Sequence, residues 1–141
     1  MKKRNKTIYW VSTGFLAFGM LAQGVAQLLH TKGYVDIITV HLGYPLYFLN
    51  IIGAWKILGV IAMLIPGFKL LREWAYAGFF FVMSGALFSH IALGDPLKDM
   101  LPALTLLILI AASWYFRPAD RKIILITKKM NVNEPESRLV L

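Results

Sequence analysis

The chain is predicted to fold as an all-α, four-helix transmembrane bundle, and three observations carry that expectation. Of its 141 residues, 58% are hydrophobic and only 16% charged, against roughly 45–50% apolar and about 25% charged in soluble domains. Four apolar runs, each close to the ~20 residues needed to cross a bilayer as a helix, follow one another along a sequence whose mean hydropathy is +0.64. The basic residues fall almost entirely on one side of those runs. This gives a basic N-terminus at residues 1–7, one membrane domain at 8–116 with spans near 8–29, 46–65, 74–93 and 96–116, and a basic tail at 117–141.

The first span, Ile8 to Leu29, follows a basic start and contains Gly24-Val25-Ala26, a pattern that a cleaved secretory signal would also show. The apolar run is ~20 residues, longer than the 7–15 of a signal core, and Gln23 and Gln27 interrupt its last third, so an uncleaved helix is expected. Ser12, Leu16, Gly19, Gln23, Gln27 and His30 recur at steps of three and four and share one face. That polar face is expected to look away from lipid.

The connection from Thr31 to Pro45 is the longest between spans. Val35, Ile38 and Leu42 recur in it at helical spacing, which predicts a short helix on the outer face. The second span, Leu46 to Ile65, contains Lys56, and an ionisable side chain at such depth is a functional-site hypothesis by default. At 1.5 Å per residue it lies ~15 Å from either end. Gly53 and Gly59 stand three residues to either side of it, which turns the lysine toward a neighbouring helix.

Pro66-Gly67 ends the second span, and a short basic stretch leads to Trp74, predicting an antiparallel hairpin with little loop. In the third span Gly78, Val82, Gly85 and Ser89 form a stripe of mostly small residues suited to close helix approach, with His90 one step round. Glu73 is expected to complement the positive start of this helix. Gly94 is expected at the C′ position, Asp95 as the next N-cap and Pro96 at the first helical position. The fourth helix then carries Pro102, a kink-forming residue.

The tail holds an apolar run, Ile123 to Ile126, between Arg121-Lys122 and Lys128-Lys129, followed by Asn131, Glu134 and Pro135. It is expected to brush anionic headgroups and then fray.

Charge fixes the expected orientation. With the N-terminus in the cytoplasm, Lys2, Lys3, Arg4, Lys6, Lys69, Arg72, Arg117, Arg121, Lys122, Lys128, Lys129 and Arg138 lie inside, and only Lys32 and Lys98 outside. The positive-inside rule then predicts both termini in the cytoplasm. Tyr9, Trp10, Trp74, Tyr76, Trp114 and Tyr115 cluster at the inner ends, and Tyr44 and Tyr47 at the outer end, as interfacial belts would. The net charge of +8 therefore points to anionic membrane lipids, and no nucleic-acid partner is expected.

There are no cysteines, which excludes disulfides, thiolate metal sites and dithiol redox chemistry. No nucleophile–base constellation, phosphate loop or haem-type motif appears. His30, His41 and His90 sit on three separate segments without the close spacing of a ligand motif, so no metal site is expected.

Depth groups the remaining polar residues. Gln23 lies roughly 10 Å, and His90 about 5 Å, below the outer ends of their helices. Helices one, two and three can thus line one outward-open polar cavity containing Lys56, Gln23, Gln27 and His90. Asn50 and Tyr47, also candidate ligand contacts, stand near its mouth with His41 and Tyr44, Asp95 is a further candidate contact, and Glu73 and Tyr76 mark the opposite boundary. No intramembrane carboxylate is available to Lys56. Its partner is either a bound ligand, such as an anion, a quinone carbonyl or a lipid headgroup, or the amides and backbone of the bundle. Gln23 and Gln27 equally suit interhelical hydrogen bonding.

The runs His41-Leu42-Gly43-Tyr44-Pro45, Trp55-Lys56-Ile57-Leu58-Gly59 and Arg72-Glu73-Trp74-Ala75-Tyr76-Ala77-Gly78-Phe79-Phe80-Phe81, with Ser84-Gly85-Ala86, Ser89-His90 and Gly94-Asp95, resemble the DoxX-like family of small bacterial membrane proteins over about Tyr9 to Phe116. The resemblance implies a four-helix bundle in the bacterial cytoplasmic (inner) membrane. Its name-giving relatives resemble a membrane subunit of a thiosulfate:quinone oxidoreductase, which implies quinone as a cofactor. Many members carry an aspartate just after the aromatic run of helix three, where this chain has Val82.

Three functions follow as expectations. The first is a quinone- or lipid-binding component of a membrane redox system, an oxidoreductase subunit rather than a stand-alone enzyme. The second is a non-enzymatic scaffold or assembly protein with a membrane-protein partner or in a homo-oligomer. The third is a small transporter subunit, although no inverted repeat is visible.

Overall fold

The structure, a computed structural model, describes residues 3–123. It contains α1 (Lys3–Leu28), α2 (Lys32–Val35) continuing into a π-helical turn (Asp36–His41), α3 (Tyr47–Leu64), α4 (Lys69–Ala92), α5 (Leu97–Tyr115) and a final 3₁₀ turn (Ala119–Arg121). The described residues contain no strand. The apolar part of the tail beyond Ile123, with Lys128, Lys129, Asn131, Glu134, Pro135 and Arg138, lies outside the described residues, as does Lys2.

Four of these helices are long and apolar enough to cross a membrane, and at most 33% of each apolar window is buried within the protein. The rest faces outward, with Phe15, Phe18, Phe81, Phe88 and Ile108 all more than 60% exposed. Water would not tolerate an apolar girdle of that extent on a monomer; lipid would. α1 and α4 each pack on both α3 and α5, an up-down bundle in which every packed pair of long helices is antiparallel.

The larger core cluster draws on all four long helices: Leu16 and Met20, Val60 and Met63, Tyr76, Phe79 and Met83, and Leu106 and Ile110. Two glycine contacts set how closely α3 approaches its neighbours. A Cβ on Gly53 would stand 2.9 Å from the carbonyl oxygen of Gly24, and the reverse distance is also 2.9 Å. Nearly two turns along, the Phe79 ring lies over Gly59, 2.6 Å from where a Cβ would sit. The glycines expected to orient Lys56 are thus the points where α1 and α4 press on α3.

The hairpin between α3 and α4 is as short as expected and turns at Gly67, φ +89°. The connection between α1 and α3 is the predicted short helix, but it widens at the β-branched run Ile37-Ile38-Thr39-Val40, which is crowded in an α-helix. Leu42 N–H donates to Ile37 O, 2.9 Å, a π-type bond of the kind often found at functional sites. Ile38 is buried against Leu49 and Ile52 of α3. The segment is therefore pinned over the end of the bundle where α3 begins.

Several local expectations are corrected. α4 begins at Lys69, so Glu73 lies beyond its first turn and does not serve the helix start. Asp95 is not an N-cap: Pro96 takes that position and α5 begins at Leu97. Gly94, at φ +72°, does close α4, with Asp95 N–H bonded to His90 O and Gly94 N–H to Ile91 O, both 3.0 Å, a Schellman arrangement. Tyr9 and Tyr76 do not belong to an interfacial belt, since both are buried, whereas Trp10, Trp74, Trp114 and Tyr115 are exposed. The small stripe of α4 does not mediate close approach: nothing lies within 4 Å of a Cβ on Gly78 or Gly85.

Candidate functional site

A cavity of about 970 Å³ occupies the half of the bundle that carries α2 and the π-helical turn. Its walls come from α1, α3, α4 and the start of α5, and the segment Thr31 to Tyr44 covers it. α5 was absent from the expected cavity; Pro102 and Ala103 supply that wall. Most of the lining is apolar, and the polar groups are few.

Lys56 is buried, lines this cavity, and lies two and a half turns or about 13 Å from the start of α3 at Tyr47. Its Nζ donates to Gln23 Oε1, 2.8 Å. The α1–α3 contact at Gly24 and Gly53 makes that bond possible, because it brings the two helices together beside both residues. An ammonium has three protons to donate, and Gln23 is the single side-chain partner found for it among the described residues. One turn up α1, Gln27 also lines the cavity and is 2% exposed, and its Oε1 is buried without a hydrogen-bond partner. Buried polar atoms are usually satisfied, so an orphan here marks an unfilled demand.

Asn50 and Tyr47 are corrected: neither lines the cavity, and both are exposed. At about 100° per residue, Tyr47 lies half a turn around α3 from Lys56 and Asn50 about a third of a turn, whereas Ile52 and Phe48 fall on the Lys56 side. Asn50 Oδ1 instead accepts a hydrogen bond from His30 Nε2, 2.7 Å. His30 closes α1 at φ 49° and stands apart from the other two histidines.

Those two meet at the rim of the cavity. His41 Nε2 lies 2.8 and 2.9 Å from the two carboxylate oxygens of Asp95, and His90 Nδ1 lies 2.6 Å from Oδ2. Hydrogen bonds from His90 and then His41 hold the Asp95 carboxyl below its usual range. Tyr44 Oη and Ser89 Oγ pair beside them, 2.9 Å apart. His41, Tyr44, Ser89 and His90 all line the cavity.

Val82, where the family pattern suggested an aspartate, is half-buried and forms part of the same wall as Lys56. The lysine therefore shares its cavity with an apolar side chain at the position in question.

Glu73 and Tyr76 lie at the opposite end of the bundle, within a polar cluster that sequence reasoning missed. Arg72, 1% exposed, donates from Nε to Met63 O, 2.9 Å, and from Nη2 to Ile65 O, 2.5 Å. It thereby satisfies the last carbonyls of α3, where a cation is favoured. Glu73 accepts from Arg117 and from Trp114 Nε1, and Arg117 lies 5.1 Å over the rings of Tyr76 and Trp114. Ser113 Oγ links Tyr76 Oη and Thr13 Oγ1, each 2.6 Å away. The clue was the presence of Thr13 and Ser113 inside apolar runs, which only a mutual contact makes inexpensive. A second cavity of about 760 Å³ opens beside Glu73 and Arg117, but those charges already neutralise each other.

A bundle of four membrane-spanning helices, holding a largely apolar cavity around one buried lysine, defines a small multi-pass integral membrane protein. A family model described as the DoxX-like family matches residues 11–113. The chain belongs to that family. Neither the curated proteins nor the solved structures compared with it include a match.

Proposed function

We propose that the protein is a ligand-binding component of a membrane redox system, taking a quinone into the cavity around Lys56. The observation that carries the reading is the combination of an apolar chamber of about 970 Å³ with Lys56 and the orphaned Gln27 in its wall. Ligand pockets are commonly of that size and lining, with a few polar groups to set orientation. A quinone offers carbonyl acceptors to the ammonium, and its quinol form offers a hydroxyl to Gln27 Oε1. Trp55 and Phe81 line the cavity yet are 63% and 70% exposed, which favours a side entrance between α3 and α4 facing the acyl chains. A lipophilic ligand can use that route.

The charge distribution supports both termini in the cytoplasm, and so an outward-facing rim at His41 and His90; a bacterial inner-membrane location rests on the family resemblance alone. No step of bond making is assigned to the chain, which acts by binding and orienting. A second reading, a scaffold for a membrane-protein partner or a homo-oligomer, is favoured by one observation: Gly78 is exposed with open space above it, as a small residue awaiting another helix would be.

The test is purification of the whole chain in native-lipid nanodiscs, followed by mass spectrometry of the extracted ligand and titration of stripped protein with a short-chain quinone, read by tryptophan quenching. Expected are quinone in the wild-type extract, saturable quenching, and at least a ~10-fold loss of affinity in Lys56→Met, corresponding to ~1.4 kcal/mol. An extract holding only phospholipid, with no saturable quenching by quinone, refutes the quinone reading.

A further inference from the structure

We propose that His41, His90 and Asp95 form a binding site for a divalent cation of the zinc class, on the rim of the cavity and separate from Lys56. Each residue offers one ligand atom, and those three atoms lie within 4.8 Å of one another. The donors are two imidazole nitrogens and one carboxylate, the set that zinc and similar borderline cations take up at sites with three protein ligands and an open position. Calcium and magnesium, which favour all-oxygen shells, fit it poorly.

Three separate elements converge to build the set, which is why spacing in the sequence hides it. The π-helical turn ends at His41, α4 presents His90 in its last turn, and the Schellman closure at Gly94 directs Asp95 back toward both. Asp95 and His90 have side chains only 7% and 13% exposed, while His41 is 50% exposed. Two ligands are thus held in place and the third can adjust. His41 presents Nε2 and His90 presents Nδ1 to the shared carboxylate, and either nitrogen can ligate a metal. A cation entering here replaces the hydrogens the three groups now share.

Both histidines line the cavity, so the site borders the chamber that holds Lys56. The cation would also tie the outer segment to the turn between α4 and α5, which are 54 residues apart at the His41–Asp95 contact. Neither consequence depends on what ligand fills the chamber.

The experiment uses the whole chain in detergent, stripped of metal by chelator and free of quinone, and titrates it with zinc alone by calorimetry and metal analysis. Roughly one equivalent per chain is expected, falling to background in His90→Ala and in Asp95→Asn, and unchanged in His30→Ala, which removes the histidine bonded to Asn50. Cobalt(II) added to wild type should give intense four- or five-coordinate visible bands. That reading needs no variant and is independent of any folding defect. Uptake that survives in the His41→Ala/His90→Ala double variant, no saturable uptake in wild type, or only weak octahedral cobalt bands each overturn the proposal.

Discussion

Replacing Gly53 by alanine places a methyl group where α1 and α3 touch. Its Cβ would stand 2.9 Å from Gly24 O, 3.2 Å from Leu28 N and 3.1 Å from Leu28 Cγ. Two of those atoms are backbone, so the clash cannot be relieved by rotating a side chain. Overpacking of this kind costs about 1–3 kcal/mol, while alanine regains roughly 0.5–1 kcal/mol over glycine inside a helix. The net expectation is a loss of about 1 kcal/mol, a ~5-fold fall in the folded-to-unfolded ratio. Gly78→Ala is the matched comparison, since nothing lies within 4 Å of its Cβ; there only the helix term acts and stability should rise. The assay is reversible unfolding of both variants in mixed micelles, followed by circular dichroism. If Gly53→Ala proves as stable as wild type, α1 and α3 can separate freely at that point, and the close crossing does not hold Gln23 against Lys56.

The cluster at the other end yields two further expectations, both measurable by the same unfolding titration. Arg72→Met removes the donor to Met63 O and Ile65 O and should destabilise by roughly 3 kcal/mol, given that bonds from charged donors are worth about 1.5–3 kcal/mol each; wild-type stability would show that water replaces the guanidinium there. Ser113→Ala strands the hydroxyls of Thr13 and Tyr76 and should lose about 2 kcal/mol. Combining it with Tyr76→Phe should then cost less than the sum of the two changes, and strict additivity would argue that the hydroxyls are not coupled.

Much of the architecture was written in composition and spacing. Apolar runs of bilayer length, the turn at Pro66-Gly67, the glycine closing α4 and the inward face of α1 all depend on residues close in sequence, and each is found in the structure. The position of Lys56 was legible for the same reason: a charge inside a long apolar run announces itself, and the glycines three residues away indicated its direction. Tyr47 and Asn50 were misplaced because depth was weighed without rotation about the helix axis. Glu73 and Asp95 were assigned to helix starts, whereas their carboxylates are taken by Arg117 with Trp114 and by His41 with His90.

The sequence by itself determined that this is a multi-pass helical membrane protein with a lysine among its apolar residues, because burial in lipid imposes a length and a polarity that local pattern must obey. Only the tertiary structure decided the partners: Gln23 for Lys56, α5 as a cavity wall, Ser113 between Thr13 and Tyr76, and two histidines on one carboxylate. Those pairings join segments tens of residues apart, and they follow from how closely the glycines let the helices approach and how the helices are rotated, quantities that no stretch of sequence carries alone.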